Sequence, residues 1–239
     1  MSNAHSHNDY LQQKPFFQAY DKQFGSIETD IHLVENKLFV AHDSAELTLK
    51  RTLEELYLLP LSSRVVKNKG YIYEDHSRQL QLLVDIKTEA TATLDALIKL
   101  LKRYPAITSG KSVRIVITGN RPLESTFQSY PNYIWFDGNL DSTYSNHTLN
   151  KIALFSDNFE KYTQWKGRGP IPAGDLDMLT AMVNKAHALQ KPVRFWASPD
   201  FFGAWRELTR LGVDYINTDQ VAGLADFLAP PTGVSASPN

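Results

Sequence analysis

The chain has 239 residues, a formal net charge of -1 and no cysteine. The lack of cysteine excludes a disulfide scaffold, a thiolate metal site and a cysteine nucleophile. The balanced charge, without a basic block, argues against a nucleic-acid partner, and no apolar run reaches the roughly 18 residues needed for a transmembrane helix. The length and a hydrophobic content of 42% suit one α/β barrel or two smaller domains.

The beginning of the chain predicts the end of a strand. Residues 4–9 place His5 and His7 on the same face of that strand. Residues 1–4 resemble a remnant of an expression vector. We therefore expect an exported protein, periplasmic or extracellular, whose signal peptide was removed, with a cytoplasmic location as the alternative.

Residues 27–43 are the most informative stretch. Apolar and polar side chains alternate there, which predicts a strand with Glu28 and Asp30 on one face. Carboxylates two residues apart on a strand lie about 7 Å apart and repel each other, so the pattern favours a bound Mg²⁺ or Ca²⁺. Residues 36–37 predict a hairpin tip, and the return strand reaches His42. Taken alone, the pattern also fits a solvated edge strand.

The rest of the chain alternates predicted strands and helices. Further strands are predicted at 81–87, 114–119, 133–138, 151–155, 193–197 and 214–219. Helices are predicted at 14–25, 52–60, 91–104, 123–130, 175–190, 201–211 and 221–228, with Asp175 as the N-cap of the longest.

This order predicts an α/β fold with one (β/α)8 TIM barrel over residues 5–228 and a β-hairpin extension after its second strand. The alternative is a doubly wound open sheet, although no glycine-rich phosphate loop follows a strand. Residues 229–239, rich in proline and serine, predict a disordered tail.

A barrel carries its active site at the C-terminal ends of its strands, and unusual polar or aromatic side chains recur there. In chain order they are His7, Asn8, Asp9, Glu28, Asp30, His42, Asp43, Asp85, Lys87, Asp157, Trp196 and Asn217. Polar residues scattered over a surface would not prefer one end of the strands. The pattern therefore predicts a catalytic site at this end.

These motifs resemble those of the glycerophosphodiester phosphodiesterase and phospholipase C-like barrel superfamily. The matching residues follow the family order: His7-Asn8-Asp9 in place of His-Arg-Gly, Glu28-x-Asp30, His42-Asp43, Asp85-x-Lys87, Trp196, Gly212-Val213-Asp214 and Thr218-Asp219. The opening His-Ser-His-Asn-Asp-Tyr is similar to a bacterial subgroup. The resemblance extends from residue 5 to residue 228.

The resemblance implies a metal-dependent phosphoric diester hydrolase for a glycerophosphodiester or a phospholipid-like substrate. It implies one divalent ion, Ca²⁺ or Mg²⁺, on Glu28, Asp30 and Asp85. The further roles it implies are acid–base catalysis by His7 and His42 and contact with substrate or its phosphate by Asn8, Lys87 and Trp196. Among the supporting residues Asp157, Asn217 and Asp43, we expect Asp43 to orient a histidine, with turn capping as the alternative. The long loop 159–174, which contains Trp165, is the candidate for specificity: we expect it to close over an anionic headgroup or to touch a lipid surface, with a solvated loop as the alternative.

Two departures from the family pattern leave the substrate open. Asn8-Asp9 replaces Arg-Gly, so we expect more of the phosphate contact from Lys87, Asn8 and the metal. Asp85 replaces the usual glutamate, as in the sphingomyelinase D branch. The alternatives are therefore a sphingomyelinase-D-like lyase that forms a cyclic phosphate, or a barrel that binds phosphorylated ligands without catalysis. A metal-independent phospholipase C is disfavoured, because that branch replaces the metal by an arginine and none is seen at the matching positions.

Overall fold

The protein is a nearly closed barrel of eight parallel strands, as described by a computed structural model of residues 1–230. The strands are β1 (Ala4–Ser6), β2 (Ser26–Val34), β3 (Lys37–Val40), β4 (Leu80–Ile86), β5 (Val113–Gly119), β6 (Ile134–Gly138), β7 (Ile152–Asn158), β8 (Val193–Trp196) and β9 (Ile216–Thr218). The order is β8-β7-β6-β5-β4-β2-β1-β9, and a parallel bridge between Arg194 and Tyr215 brings the two outer strands together. The predicted TIM barrel is confirmed.

The hairpin extension is β3, which pairs antiparallel with the end of β2. Glu35 and Asn36 form its tip in left-handed conformation, with φ of 48° and 62°, one residue earlier than predicted. Asparagine tolerates this conformation better than most residues. The hairpin extends β2 beyond its last pairing with β4 and carries His42 back over the barrel mouth.

Helices surround the barrel: α1 (Phe17–Asp21), α2 (Leu59–Lys67), α3 (Ala90–Leu101), α4 (Pro105–Thr108), α5 (Asn146–Leu149), α6 (Ala173–Ala188), α7 (Phe202–Arg210) and α8 (Val221–Leu228). The predicted end at Pro60 is wrong, because a π-helical segment runs directly into α2 and proline is tolerated near a helix start. The predicted N-cap at Asp175 is also wrong, since α6 begins at Ala173 and Asp175 accepts a hydrogen bond from Thr163.

The strand register divides the barrel interior into an apolar floor and a polar mouth. Leu83, Val116 and Leu154 fill the floor. Asp85 lies two residues beyond Leu83 on the same face of β4, and it pairs in register with Asp30 of β2. The two strands thus bring both aspartates to the same level at the C-terminal end of the barrel.

The first residues are part of this structure. Ala4 begins β1 and is buried, and the carbonyl of Asn3 accepts a hydrogen bond from Ile216 N. Most of the expected disordered tail, residues 231–239, lies outside the described residues. Over the described part of the chain, no helix combines the length and the apolar character needed to cross a membrane.

Candidate active site

A cleft of about 430 Å³ opens at the C-terminal mouth of the barrel. Many of the residues predicted from the strand ends line it: His7, Asn8, Glu28, His42, Asp85, Lys87, Asp157 and Trp196. Trp196 is 41% exposed at the end of β8, so its indole is available as a cleft wall. The strand ends therefore converge on one site, as the sequence pattern predicts.

Three carboxylates form the centre of this site. Oxygens of Glu28, Asp30 and Asp85 all lie within 4.8 Å of one another. Asp30 Oδ1 and Asp85 Oδ1 are buried and have no hydrogen-bond partner within residues 1–230. Buried polar atoms are normally satisfied, and carboxylate oxygens are the ligands that Mg²⁺ and Ca²⁺ prefer. The donor set therefore fits a divalent cation.

The pKa values reflect the crowding of these groups. Burial, followed by the charge of Asp30, raises the pKa of Asp85 to about 6. Burial and the charge of Glu28 raise the pKa of Asp30 as well, although Lys87 opposes this shift. Both carboxylates are therefore destabilised in their charged form, and a cation between them would offset the burial and the charge repulsion.

Lys87 contacts both aspartates of the cluster through one oxygen of each. Its Nζ is 3.0 Å from Asp30 Oδ2 and 2.9 Å from Asp85 Oδ2. Burial would lower the pKa of Lys87, but the two carboxylates outweigh it and raise the pKa. The ammonium thus holds one oxygen of each aspartate and leaves the other oxygen, Oδ1, for a cation.

Both predicted catalytic histidines are held through Nδ1 by a carboxylate. His42 Nδ1 lies 3.0 Å from Asp30 Oδ2, and the backbone carbonyl of His42 is 3.2 Å from His32 Nε2. His7 Nδ1 lies 2.9 Å from Asp219 Oδ1. Burial would lower the pKa of His7, but the hydrogen bond with Asp219 and the charge of Glu28 raise it above its ordinary value.

Arg194 is a site residue that the sequence reasoning missed. It is buried, and its guanidinium contacts Glu28 Oε2 and lies 3.4 Å from Asn217 Oδ1. An arginine therefore does reach the carboxylate cluster. Along β8, Arg194 and Trp196 alternate with the buried apolar residues Val193 and Phe195, and that alternation could have identified Arg194.

His5 completes the buried network around Glu28. Its Nε2 lies 2.9 Å from Glu28 Oε2 and its Nδ1 lies 2.7 Å from Ser26 Oγ. Burial, followed by the charge of Arg194, lowers the pKa of His5 to about 4, so this histidine is neutral at physiological pH. Burial would raise the pKa of Glu28, but Arg194 and His5 hold it well below its usual range.

Tyr10 is the second residue that was missed. Its hydroxyl lies 2.9 Å from both Asp30 Oδ2 and Asn8 Oδ1. Asn8 adopts a left-handed conformation with φ of 45° directly after β1. The Asn8 side chain is therefore fixed at the cleft wall, with its Nδ2 3.2 Å from His7 Nδ1.

Asp157 and Asn217 support the site. Asp157 lies in the cleft wall, where it pairs with Lys161 at 2.6 Å and accepts a hydrogen bond from the Tyr162 hydroxyl. Asn217 is buried beside Arg194. Both side chains therefore have structural partners next to the proposed catalytic residues.

The structure does not bring Trp165 or Asp43 into the cleft. Trp165 is 7% exposed, packs near Phe159, and donates its Nε1–H to the carbonyl of Arg168. Its large apolar surface is buried within its own loop, so the expected closure over the substrate is not observed. Asp43 is exposed at the start of the turn Ser44–Glu46, which agrees with the alternative expectation of a turn-capping residue.

Comparisons with known proteins agree with this geometry. The AIM6-like phosphodiesterase domain family matches residues 1–137, and the glycerophosphoryl diester phosphodiesterase family matches residues 192–222. Altered inheritance of mitochondria protein 6 of Kluyveromyces lactis is 28% identical, over 94% of this chain and 72% of that protein. Its homolog in Arthroderma benhamiae is 26% identical, over 91% of this chain and 81% of that protein.

Solved structures of glycerophosphodiester phosphodiesterases share the fold. The protein from Parabacteroides distasonis has a TM-score of 0.56 and 16% identity, covering 94% of this chain and 96% of that one. The protein from Agrobacterium tumefaciens also has a TM-score of 0.56, with 14% identity, covering 95% and 100%. With the family match over more than half of its length, this chain belongs to the AIM6-like phosphodiesterase domain family, within the glycerophosphodiester phosphodiesterase and phospholipase C-like barrel superfamily.

Proposed function

We propose that this protein is a metal-dependent phosphoric diester hydrolase that acts on a small-molecule or lipid phosphodiester. The observation that carries the proposal is the carboxylate cluster with its two buried, unpartnered oxygens on Asp30 and Asp85. Lys87 and the two oriented histidines adjoin the same cluster. A barrel that only bound phosphorylated ligands would need no pair of oriented histidines.

The cluster supplies what attack on an anionic phosphodiester requires. A divalent ion held by Glu28, Asp30 and Asp85 would act as a Lewis acid on a phosphoryl oxygen. The ammonium of Lys87 lies against the same two aspartates and adds positive charge beside the site. Asn8 and Trp196 form walls against which the substrate is positioned.

The two histidines divide the proton transfers. Neither His7 nor His42 makes a hydrogen bond through Nε2 among the described residues, so both Nε2 atoms remain for the reacting groups. His42 accepts the proton of the attacking hydroxyl, and Asp30 stabilises the imidazolium that forms. His7, whose pKa is raised, donates a proton to the leaving alkoxide.

Hydrolysis of bis(p-nitrophenyl) phosphate and glycerophosphocholine tests this proposal. We expect activity with Ca²⁺ or Mg²⁺, none with EDTA, and loss in Glu28→Ala and in the near-isosteric Asp85→Asn. Circular dichroism shows whether each variant is folded. A folded wild type that hydrolyses no diester with any divalent ion would refute the hydrolase and leave the ligand-binding barrel.

The attacking hydroxyl defines the reaction product. Attack by water gives a phosphomonoester, whereas attack by a neighbouring hydroxyl of the substrate gives a cyclic phosphate, as in the sphingomyelinase-D-like alternative. Phosphorus NMR of the first product distinguishes the two. We propose hydrolysis, so a cyclic phosphate that accumulates would assign the protein to the lyase alternative.

A lipid substrate is favoured over a freely soluble one by the distribution of exposed apolar side chains. Seven of the large exposed hydrophobic residues lie at the C-terminal face of the barrel, and none lies on the described loops of the opposite face. The seven are Leu11, Val34, Leu49, Leu123, Trp196, Phe201 and Phe202. Apolar side chains around a catalytic mouth suit insertion into a bilayer surface.

Sedimentation with phosphatidylcholine–phosphatidylglycerol vesicles tests the lipid preference. Leu49 is 86% exposed at the mouth, and Val66 is 67% exposed on α2, away from it. We expect Leu49→Glu to weaken vesicle binding by about tenfold and Val66→Glu to leave it unchanged. Equal binding by both variants, or no binding by the wild type, would point to a soluble phosphodiester.

A further inference from the structure

Four basic residues line the cleft, and three of them already face carboxylates. Lys87 pairs with Asp30 and Asp85, Lys161 pairs with Asp157, and Arg194 pairs with Glu28. The fourth, Arg121, makes no ion pair and no side-chain hydrogen bond with any residue between 1 and 230. Its guanidinium is therefore not engaged in an ion pair within this part of the chain and can contact a ligand.

The chain holds Arg121 at a defined place. Arg121 follows β5 by two residues, and the preceding Asn120 is anchored through its backbone N to Ile86 O and through its Nδ2 to Thr88 O. Arg121 lines both the active cleft and a neighbouring open cleft of about 730 Å³. Lys87 and Gly119 also line both clefts, so Arg121 lies where the two clefts meet.

The carboxyl groups that line the two clefts form no ion pair with Arg121. In the second cleft, Glu89 accepts hydrogen bonds from the backbone of Thr91 and Ala92, and Glu124 accepts one from the Tyr144 hydroxyl. In the active cleft, burial raises the pKa of Asp137, and the nearby charge of Arg121 opposes that shift without an ion pair forming between the two side chains. An incoming anion is therefore the natural partner for the arginine.

The net charge of the site indicates which kind of anion would bind there. Lys87, Arg194 and a divalent ion together exceed the three cluster carboxylates by a single positive charge, which matches a phosphodiester monoanion. Attack on phosphorus adds a second negative charge to the phosphoryl oxygens, and a pre-positioned cation stabilises it. A guanidinium, which binds two oxygens at once, suits this task.

We propose that Arg121 is a substrate-binding residue that contacts the phosphoryl oxygens of the diester. The proposal rests on the phosphodiesterase function proposed above and adds a phosphate ligand that the family-like motifs of this chain do not contain. Arg121 comes from the loop after β5, whereas the arginine of the common His-Arg-Gly motif would follow β1 and is replaced here by Asn8. The proposed phosphate-binding arginine thus follows a different strand of the barrel from the arginine of the common motif.

The experiment compares Arg121→Gln and Arg121→Lys with Arg168→Gln. Arg168 is an exposed arginine on the loop after β7 that lines neither cleft, so its replacement controls for the loss of one positive charge. Titration calorimetry with inorganic phosphate in the presence of Ca²⁺ or Mg²⁺ measures binding, and bis(p-nitrophenyl) phosphate measures kcat/KM. We expect Arg121→Gln to weaken phosphate binding by about 10- to 100-fold and to lower kcat/KM at least as much, with an unchanged melting temperature. Arg121→Lys should fall between the wild type and Arg121→Gln.

The outcomes separate this inference from the proposed function. An active wild type in which Arg121→Gln and Arg168→Gln bind phosphate and turn over equally well would overturn the role of Arg121 and leave the phosphodiesterase standing. A wild type without diesterase activity that binds phosphate through Arg121 would refute the enzyme and support the binding role. A fall in melting temperature that accounts for the lost binding would also overturn it, since Arg121 would then be structural.

Discussion

Gly119 offers the sharpest test of the carboxylate cluster, because the cluster needs the space that a side chain would fill. A Cβ atom at this position would lie 1.9 Å from Asp85 Oδ1 and 2.7 Å from the carbonyl of Ile86. Ordinary contact begins at 3.4 Å, so the Asp85 carboxylate would have to move by about 1.5 Å. Coordination of Mg²⁺ or Ca²⁺ tolerates only a few tenths of an ångström.

The change Gly119→Ala therefore has two effects, backbone strain and displacement of the Asp85 carboxylate, and a control variant can separate them. Gly119 has φ of +69°, and an alanine in this left-handed conformation costs about 1–2 kcal/mol. Gly169 has φ of +67° and no atom within 4 Å of its potential Cβ. The variant Gly169→Ala thus carries the same backbone cost without touching the site.

We expect the shared backbone strain to cost both variants about 1–2 kcal/mol of unfolding free energy in urea. Gly119→Ala should lose more than Gly169→Ala, because its Cβ also clashes with the backbone carbonyl of Ile86. Only Gly119→Ala should lose metal affinity, by at least about tenfold, since displacing one ligand removes one of three donors. Calorimetric titration with Ca²⁺ and Mg²⁺ measures the affinity. If both variants bound metal equally well, Asp85 Oδ1 would not be a ligand.

Three further results are expected. Asp219→Asn removes the carboxylate that raises the pKa of His7, so that pKa should fall in an NMR titration and kcat should drop on the order of tenfold. Because the pKa of Asp85 is about 6, its proton competes with the metal below that pH, so Ca²⁺ or Mg²⁺ affinity should decrease as pH falls from 7 to 5. An affinity that is constant over this range would contradict the assignment of Asp85. Arg194→Met should cost about 3–5 kcal/mol of unfolding free energy, because it leaves the Glu28 carboxylate buried without its cation. The double variant, Arg194→Met with Glu28→Leu, should recover part of that loss, as measured by urea unfolding.

The sequence predicts the fold and the main polar residues because both follow from strand periodicity. A strand that sends Glu28 and Asp30 to one face must send Ile27 and Ile31 to the other, where they are fully buried against the helices. The C-terminal ends of parallel strands meet at one rim, so motifs far apart in sequence had to converge. No packing detail was needed for either conclusion.

The pairing of side chains within the mouth does not follow from periodicity. Tyr10 reaches Asp30 from a turn after β1, and Asp219 reaches His7 from a position directly after β9. Trp165 turned inward because its loop is long enough to build a small apolar core with Phe159. Such choices depend on loop conformation, which local sequence patterns define poorly.

Arg194 shows why the missed residues matter to the chemistry. Three carboxylates at the centre of a barrel would repel each other throughout folding if the metal were their only counter-charge. Lys87 faces two of them and Arg194 faces the third, so the cluster is largely neutralised before any ion binds. The buried pairs occupy Oδ2 of each aspartate and Oε2 of Glu28, which leaves Asp30 Oδ1, Asp85 Oδ1 and the second oxygen of Glu28 for the cation. The same ion pairs that neutralise the carboxylates therefore also leave one oxygen of each carboxylate available to a divalent ion.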